Sequence, residues 1–137
     1  MENQELIKNL TSLCQLDIDA VHAYDQAIGK TDLKTIKIKL SEFQSDHLRH
    51  VSNLTKIIVD RGGDAPEFAR DFKGFIIEGM TALRSVNGTE GALRAMKTNE
   101  GLTNTMYERA LSWDMPVDVR RVVESNRDDE RRHLEYI

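Results

Sequence analysis

One cysteine, two prolines, one tryptophan and no surplus of basic charge mark this 137-residue chain. With only Cys14 an internal disulfide framework is excluded, which fits a reducing compartment and sets the expectation of a cytoplasmic protein. Cys14 stands beside Leu13 and reads as a small, semi-buried packing residue. The two prolines, Pro66 and Pro116, leave long stretches free to be helical and read as boundary markers. Strand signals are missing as well, with no sustained alternation and no hairpin turns between β-branched runs. The formal charge of −4 argues against a nucleic-acid partner. No apolar run approaches the roughly 20 residues that span a bilayer, so no membrane partner is expected. The first residues, Met1 to Glu5, lack the basic start and apolar middle of a signal peptide.

The length suits one domain with a sizeable core, and 39% hydrophobic with 31% charged residues suits helices with solvated outer faces. A first helix is expected over 3–28, stopped near Gly29 in a left-handed cap. Thr31 or Asp32 is expected to cap a second, running to about Arg61 and ending at Gly62 and Gly63. Phe68, Phe72, Phe75, Ile76, Met80 and Leu83 then recur at helical spacing, which predicts a crossover over 62–88 carrying a short helix of its own. Thr89 is expected to cap a third long helix reaching about Ser112. Asp114, Met115 and Pro116 open a fourth that runs to the end. Short links imply antiparallel neighbours. The expectation is a single all-α domain over 1–137: a four-helix bundle made of hairpin 3–61, crossover 62–88 and hairpin 89–137.

Steps of four and three keep residues on one helix face, and four such stripes can be drawn. They are Leu6, Leu10, Leu13, Asp17, Ala20, Tyr24, Ala27; Ile36, Leu40, Phe43, His47, His50, Leu54, Ile57; Leu93, Met96, Glu100, Thr103, Tyr107, Ala110; and Val119, Val123, Asn126, Glu130, His133, Ile137. Asp17, His47, His50, Glu100, Glu130 and His133 are polar residues on apolar stripes. Burying carboxylates and imidazoles together demands a compensating partner, and a metal ion suits that mixture. An offset of 83 residues brings Asp17 onto Glu100, Tyr24 onto Tyr107, Asp46 onto Asp129, His47 onto Glu130 and His50 onto His133. Periodicity alone would align apolar residues; it would not preferentially align polar ones. Two related half-sites are therefore expected. In Glu130-Arg131-Arg132-His133 a carboxylate and an imidazole lie about 4.5–5 Å apart along one helix face, and mixed oxygen and nitrogen donors suit iron, manganese or zinc.

On these residues the chain resembles the ferritin-like di-iron carboxylate superfamily, and a bacterial branch of it with a short helix in the crossover. In that superfamily two helices each give a Glu and two each give a Glu-x-x-His pair. The resemblance covers about residues 5–137. It implies an antiparallel four-helix bundle with a long crossover, in which Glu100 is the lone glutamate of the third helix and Glu130 with His133 the pair of the fourth. His50 is then the histidine of the second-helix pair, Asp17 takes the first carboxylate position, and Tyr24 and Tyr107 resemble tyrosines that sit near such centres. It also implies one or two iron ions and ferroxidase-like or other oxidoreductase chemistry with Fe(II) and O2 or peroxide, in iron handling or oxidative stress. Two positions depart from the pattern. Asp17 is a methylene shorter than glutamate, and His47 stands where a bridging glutamate is usual. Asp46, one residue off the stripe, is the carboxylate nearest to replacing it.

Each residue also has a plainer reading. A lone core histidine packs and hydrogen-bonds more often than it ligates, and buried tyrosines are usually core aromatics with satisfied hydroxyls. Asp19 and His22 lie off the first stripe and are expected to face solvent. In the run from Arg127 to Arg132 only Glu130 is expected to point inward. A metal-free network of Asp–His and Glu–His pairs, a mononuclear zinc site, and a helical module that binds a partner or forms a homo-oligomer all stay open.

Overall fold

The computed structural model describes residues 1–68 and 88–137. Four helices make up most of them: α1 (Asn3–Lys30), α2 (Lys34–Asp60), α3 (Gly88–Ala110) and α4 (Val117–Tyr136). No strand occurs among the described residues, as the missing alternation predicts. The expected crossover helix falls mainly on 69–87, outside the described residues.

The helix ends follow local chemistry that differs in places from the sequence expectations. Gly29 does not take a left-handed cap, since the only positive-φ residues are Gly62 and Gly88 among those described. Instead α1 continues to Lys30, and Thr31 turns its hydroxyl back onto Ala27 O at 2.7 Å. Neither Thr31 nor Asp32 caps α2, whose N-cap is Leu33 with no side-chain cap bond. The Thr89 hydroxyl is used across the bundle, accepting the Asp32 N–H at 2.8 Å. The end of α2 is as expected. Gly62 (φ +91) lets its N–H reach Val59 O at 3.0 Å and the Gly63 N–H reach Ile58 O at 2.9 Å, a Schellman closure. A Cβ at Gly63 would stand 2.7 Å from Ile7 Cγ2 and 2.8 Å from Ile58 Cγ2. Both are stiff branched side chains, so Gly63→Ala is expected to cost about 1–3 kcal/mol, read as a lower urea midpoint.

α1 packs on α2 and α3, and α4 packs on those same two helices. Contacts near the helix ends fix the directions. Asn3 Nδ2 donates to Arg61 O at 3.1 Å and Gln44 Nε2 to Val21 O at 2.9 Å, so α1 and α2 are antiparallel. Met1 meets Asp114 at one end of the α1–α3 pair and Asp32 meets Thr89 at the other, so that pair is antiparallel too. Arg120 at the start of α4 binds the Leu111 and Trp113 carbonyls, and Asn104 Nδ2 reaches Glu130 O at 2.9 Å. The stripes face the shared interior: all of the first, and Leu40 to Leu54, Met96 to Ala110 and Val119 to His133 on the others, are buried. Ile58 takes the buried place expected of Ile57.

Three further expectations change. Asp19 is only 1% exposed and accepts the Gln15 amide at 3.0 Å; α1 is buried on more than its stripe, with Leu16, Ile18, Val21 and Ala23 also enclosed. His22 is half-buried, its ring 5.3 Å from that of Phe68. Cys14 is fully rather than partly buried, and burial pushes its thiol up to about 11 despite the Thr55 contact, so it stays a protonated packing group.

Candidate metal centre

The four apolar stripes are interrupted at the same level of the bundle, and all six sequence-predicted residues meet there. None is more than 1% exposed. Asp17 on α1 faces α2, where His47 Nδ1 lies 2.7 Å and His50 Nδ1 3.1 Å from Asp17 Oδ1. Glu100 on α3 faces the other edge of the same ring, with His47 Nε2 3.1 Å from Glu100 Oε1. His133 Nδ1 on α4 is 3.4 Å from that oxygen. Glu130 stands between the halves. Its Oε1 is 3.3 Å from both His47 Nδ1 and His50 Nδ1, and its Oε2 is 3.8 Å from His133 Nδ1.

The tyrosines cross over. Tyr107 on α3 donates to Asp17 Oδ2 on α1 at 2.5 Å, and Tyr24 on α1 donates to Glu100 Oε1 on α3. Burial and the adjacent carboxylates push both phenols well above their usual range, so they remain donors. Asn126 Nδ2 lies 3.3 Å from the Tyr107 hydroxyl, and Thr103 Oγ1 lies 3.0 Å from Glu130 Oε2 and 3.2 Å from Glu100 Oε2. The 83-residue repeat thus becomes a pseudo-twofold arrangement in which each half supplies a carboxylate and the other half supplies its tyrosine.

Two aspartates one residue off their stripes support it from behind. His50 Nε2 contacts Asp129 Oδ2 at 2.8 Å, and His133 Nε2 contacts Asp46 Oδ2 at 2.8 Å. Each aspartate accepts the Nε2 proton and so turns Nδ1 toward the interior, the usual way a carboxylate orients a ligating imidazole. The expectation that only Glu130 turns inward from its charged run is therefore corrected: Asp129 does too. Asp46 does not replace the missing glutamate; it stands behind His133. Their alignment in the repeat was the available signal, hidden because both lie one residue off their stripes.

The electrostatics follow from three carboxylates and three imidazoles buried together. Burial would lower the His47 imidazolium, but the charges of Glu130 and Glu100 and the Asp17 hydrogen bond override it and hold its pKa well above the ordinary value. His50 rises to about 10 against its own burial, chiefly through Asp17, and His133 to about 9 through Glu100 and Glu130. Burial opposes ionisation of Asp17 and Glu100 as well, yet the histidines hold both below the usual range. Glu130 goes the other way, raised by burial and by the Glu100 charge despite His47.

Two donor groups emerge, Asp17–His47–His50–Glu130 and His47–Glu100–Glu130–His133, each with its ligand atoms within 4.8 Å of one another. They share His47 and Glu130. Donors held by one ion at about 2.0–2.2 Å lie about 3–3.5 Å from each other, and the contacts of 2.7–3.3 Å in the first group and 3.1–3.8 Å in the second bracket that spacing. Although fully buried, Glu130 Oε1 and His133 Nδ1 have only ion-pair contacts of 3.3–3.8 Å and no well-aligned hydrogen bond, which is uncommon in a protein interior. Those two atoms and the mixed oxygen and nitrogen donors fit a metal ion.

The class is thus an all-α four-helix bundle with a buried carboxylate–imidazole cluster that could hold a metal. No helix among the described residues is long and apolar enough to cross a membrane. The chain belongs to the family described as a domain of unknown function (DUF2383), whose profile matches residues 5–112. That span carries Asp17, Tyr24, His47, His50, Glu100 and Tyr107 and ends before α4, the source of Asp129, Glu130 and His133. No curated protein matches the chain.

Proposed function

We propose that this chain is a ferritin-like protein whose bundle holds one or two transition-metal ions, iron in the first place, with Asp17, His47, His50, Glu100, Glu130 and His133 as ligands. The observation that carries this reading is the pair of buried donors, Glu130 Oε1 and His133 Nδ1, left without a well-aligned hydrogen bond inside a ring of further donors. Iron supplies redox chemistry toward O2 or peroxide, and the residues supply its surroundings. Three carboxylates offset the charge of the ion, and mixed oxygen and imidazole donors suit iron or manganese as well as zinc. Asp46 and Asp129 hold the outer histidines by Nε2, and Tyr24 and Tyr107 fix one oxygen of Glu100 and of Asp17. The reading extends to oxidation of Fe(II) in iron handling or oxidative stress, inside the cell.

A second reading draws on the satisfied state of most of the cluster. The His47 ring touches all three carboxylates, so a protonated His47 can do electrostatically what an ion would do. The bundle would then be a metal-free or zinc-bearing structural module. Metal analysis of protein purified without chelator or affinity tag separates the two. The proposal expects one or two transition-metal ions per chain, Fe(II) uptake without oxygen, and oxygen consumption by the loaded protein. No metal bound and none taken up anaerobically would sink it. Zinc held tightly with no oxygen consumption would favour the structural module.

A further inference from the structure

We propose that a divalent cation reaches and leaves the buried centre between α2 and α4, through a ring formed by Asp46, Arg49, Asp129 and Arg132, with the two aspartates as its transit ligands. This rests on the metal-binding reading above and concerns residues outside the ligand set. The ring is closed by alternating charges. Arg49 Nη1 binds Asp46 Oδ1 at 3.0 Å and Arg49 Nη2 binds Asp129 Oδ2; Arg132 Nη2 binds Asp46 Oδ2 at 2.8 Å and Asp129 Oδ1 at 2.9 Å. The repeat relates its two halves, since Arg49 falls on Arg132 as Asp46 falls on Asp129.

Exposure drops in steps across the ring. The arginine side chains are 52% and 51% exposed, those of the aspartates 14% and 17%, and the histidines behind them 0%. Asp46 and Asp129 touch solvent-side arginines with one set of contacts and His133 and His50 with another, so a cation bound to either aspartate stands one side chain from the ligands. Glu130 Oε1 and His133 Nδ1, without a well-aligned hydrogen bond, lie inside. Passage along the bundle axis is harder, because Leu13, Phe43, Leu54 and Met96 occupy neighbouring stripe positions, with Val123 beyond Asn126, and all are almost completely buried. Parting ion pairs whose arginine ends are half-exposed sacrifices less stability than displacing packed apolar side chains, which opens cavities. The arginines plug the ring until a cation replaces their charge on the aspartates.

Anaerobic Co(II) is the probe, its uptake followed by ligand-field absorbance and its release by a chelator chase. In the Arg49→Gln/Arg132→Gln double variant both uptake and release are expected to quicken by about tenfold, the factor for one or two exposed ion pairs removed from the barrier. The equilibrium Kd should stay within about threefold, because both arginines bind the transit aspartates and neither binds one of the six residues that hold the ion at rest. Added salt should speed release from the parent protein and leave the double variant unaffected. If the variant takes up Co(II) faster but releases it more slowly, the arginines act only through the field of their charge and the ring proposal is overturned. Unchanged rates would overturn it too, in a protein whose metal site remains. A parent protein that binds no Co(II) at equilibrium would remove the metal reading itself, and the ring proposal with it.

Discussion

Replacing Glu130 with glutamine is expected to abolish the metal-dependent rise in melting temperature while leaving the metal-free protein as stable as the parent, or more so. The two halves of this result have separate causes. Glu130 is common to both donor groups, so the change weakens both. In the parent, an ion at a hundred times its Kd contributes about 2.7 kcal/mol, a rise of roughly 5–10 °C for a chain of this size, and that rise should vanish. Without metal the sign differs. Burial and Glu100 raise the Glu130 pKa, which means that its charge opposes folding at neutral pH; a neutral amide of the same shape removes that cost. Thermal melts of both proteins, with chelator and with Zn(II) or Co(II), give the four values needed. A glutamine variant that keeps the full metal-dependent rise would refute the assignment of Glu130.

The buried cluster was legible because an α-helix converts spacing into direction. Asp17, Glu100, Glu130 and His133 sit in apolar rows of step three and four, and nothing but a shared interior explains polar groups there. The 83-residue offset survives as geometry: α2 begins at Lys34 and α4 at Val117, the same interval, and Tyr24 and Tyr107 cross between the halves. Less could be read for residues one step off a stripe. Asp46 and Asp129 stand at the seam of α2 with α4, where inward or outward depends on how closely the two helices approach, and sequence spacing does not contain that distance. Asp19 is a similar case, since α1 has neighbours on more sides than its stripe predicts. Gly29, Thr31 and Thr89 depart from expectation for another reason. A glycine or hydroxyl at a helix end is only permitted to cap, and tertiary contacts such as Thr89 with Asp32 decide whether it does.

His47→Ala should give the largest loss of stability in metal-free protein, and metal should restore more in this variant than in the parent. In the parent His47 carries a positive charge among Asp17, Glu100 and Glu130, at 2.7, 3.1 and 3.3 Å. Removing one partner of a buried ion pair leaves the other uncompensated and costs about 3–5 kcal/mol, a large part of the roughly 5–15 kcal/mol that holds a domain folded. A divalent ion returns the missing charge, so saturating Zn(II) or Co(II) is expected to raise the variant's melting temperature further than the parent's, although each group has lost a nitrogen donor. The pH response separates this account from simple cavity formation. In the metal-free parent the raised pKa values of His47, His50 and His133 supply stability that is complete below about 6.5, the unfolded value. It drains away as pH rises through about 9 for His133 and about 10 for His50. A bound metal requires neutral imidazole nitrogen, so its contribution grows with pH as proton competition fades. Denaturation midpoints between pH 6.5 and 9 should therefore fall with chelator present and fall less, or rise, with metal present. Parallel slopes in the two conditions would mean that these histidines do not exchange a proton for an ion, and the cluster would then be a salt-bridged core.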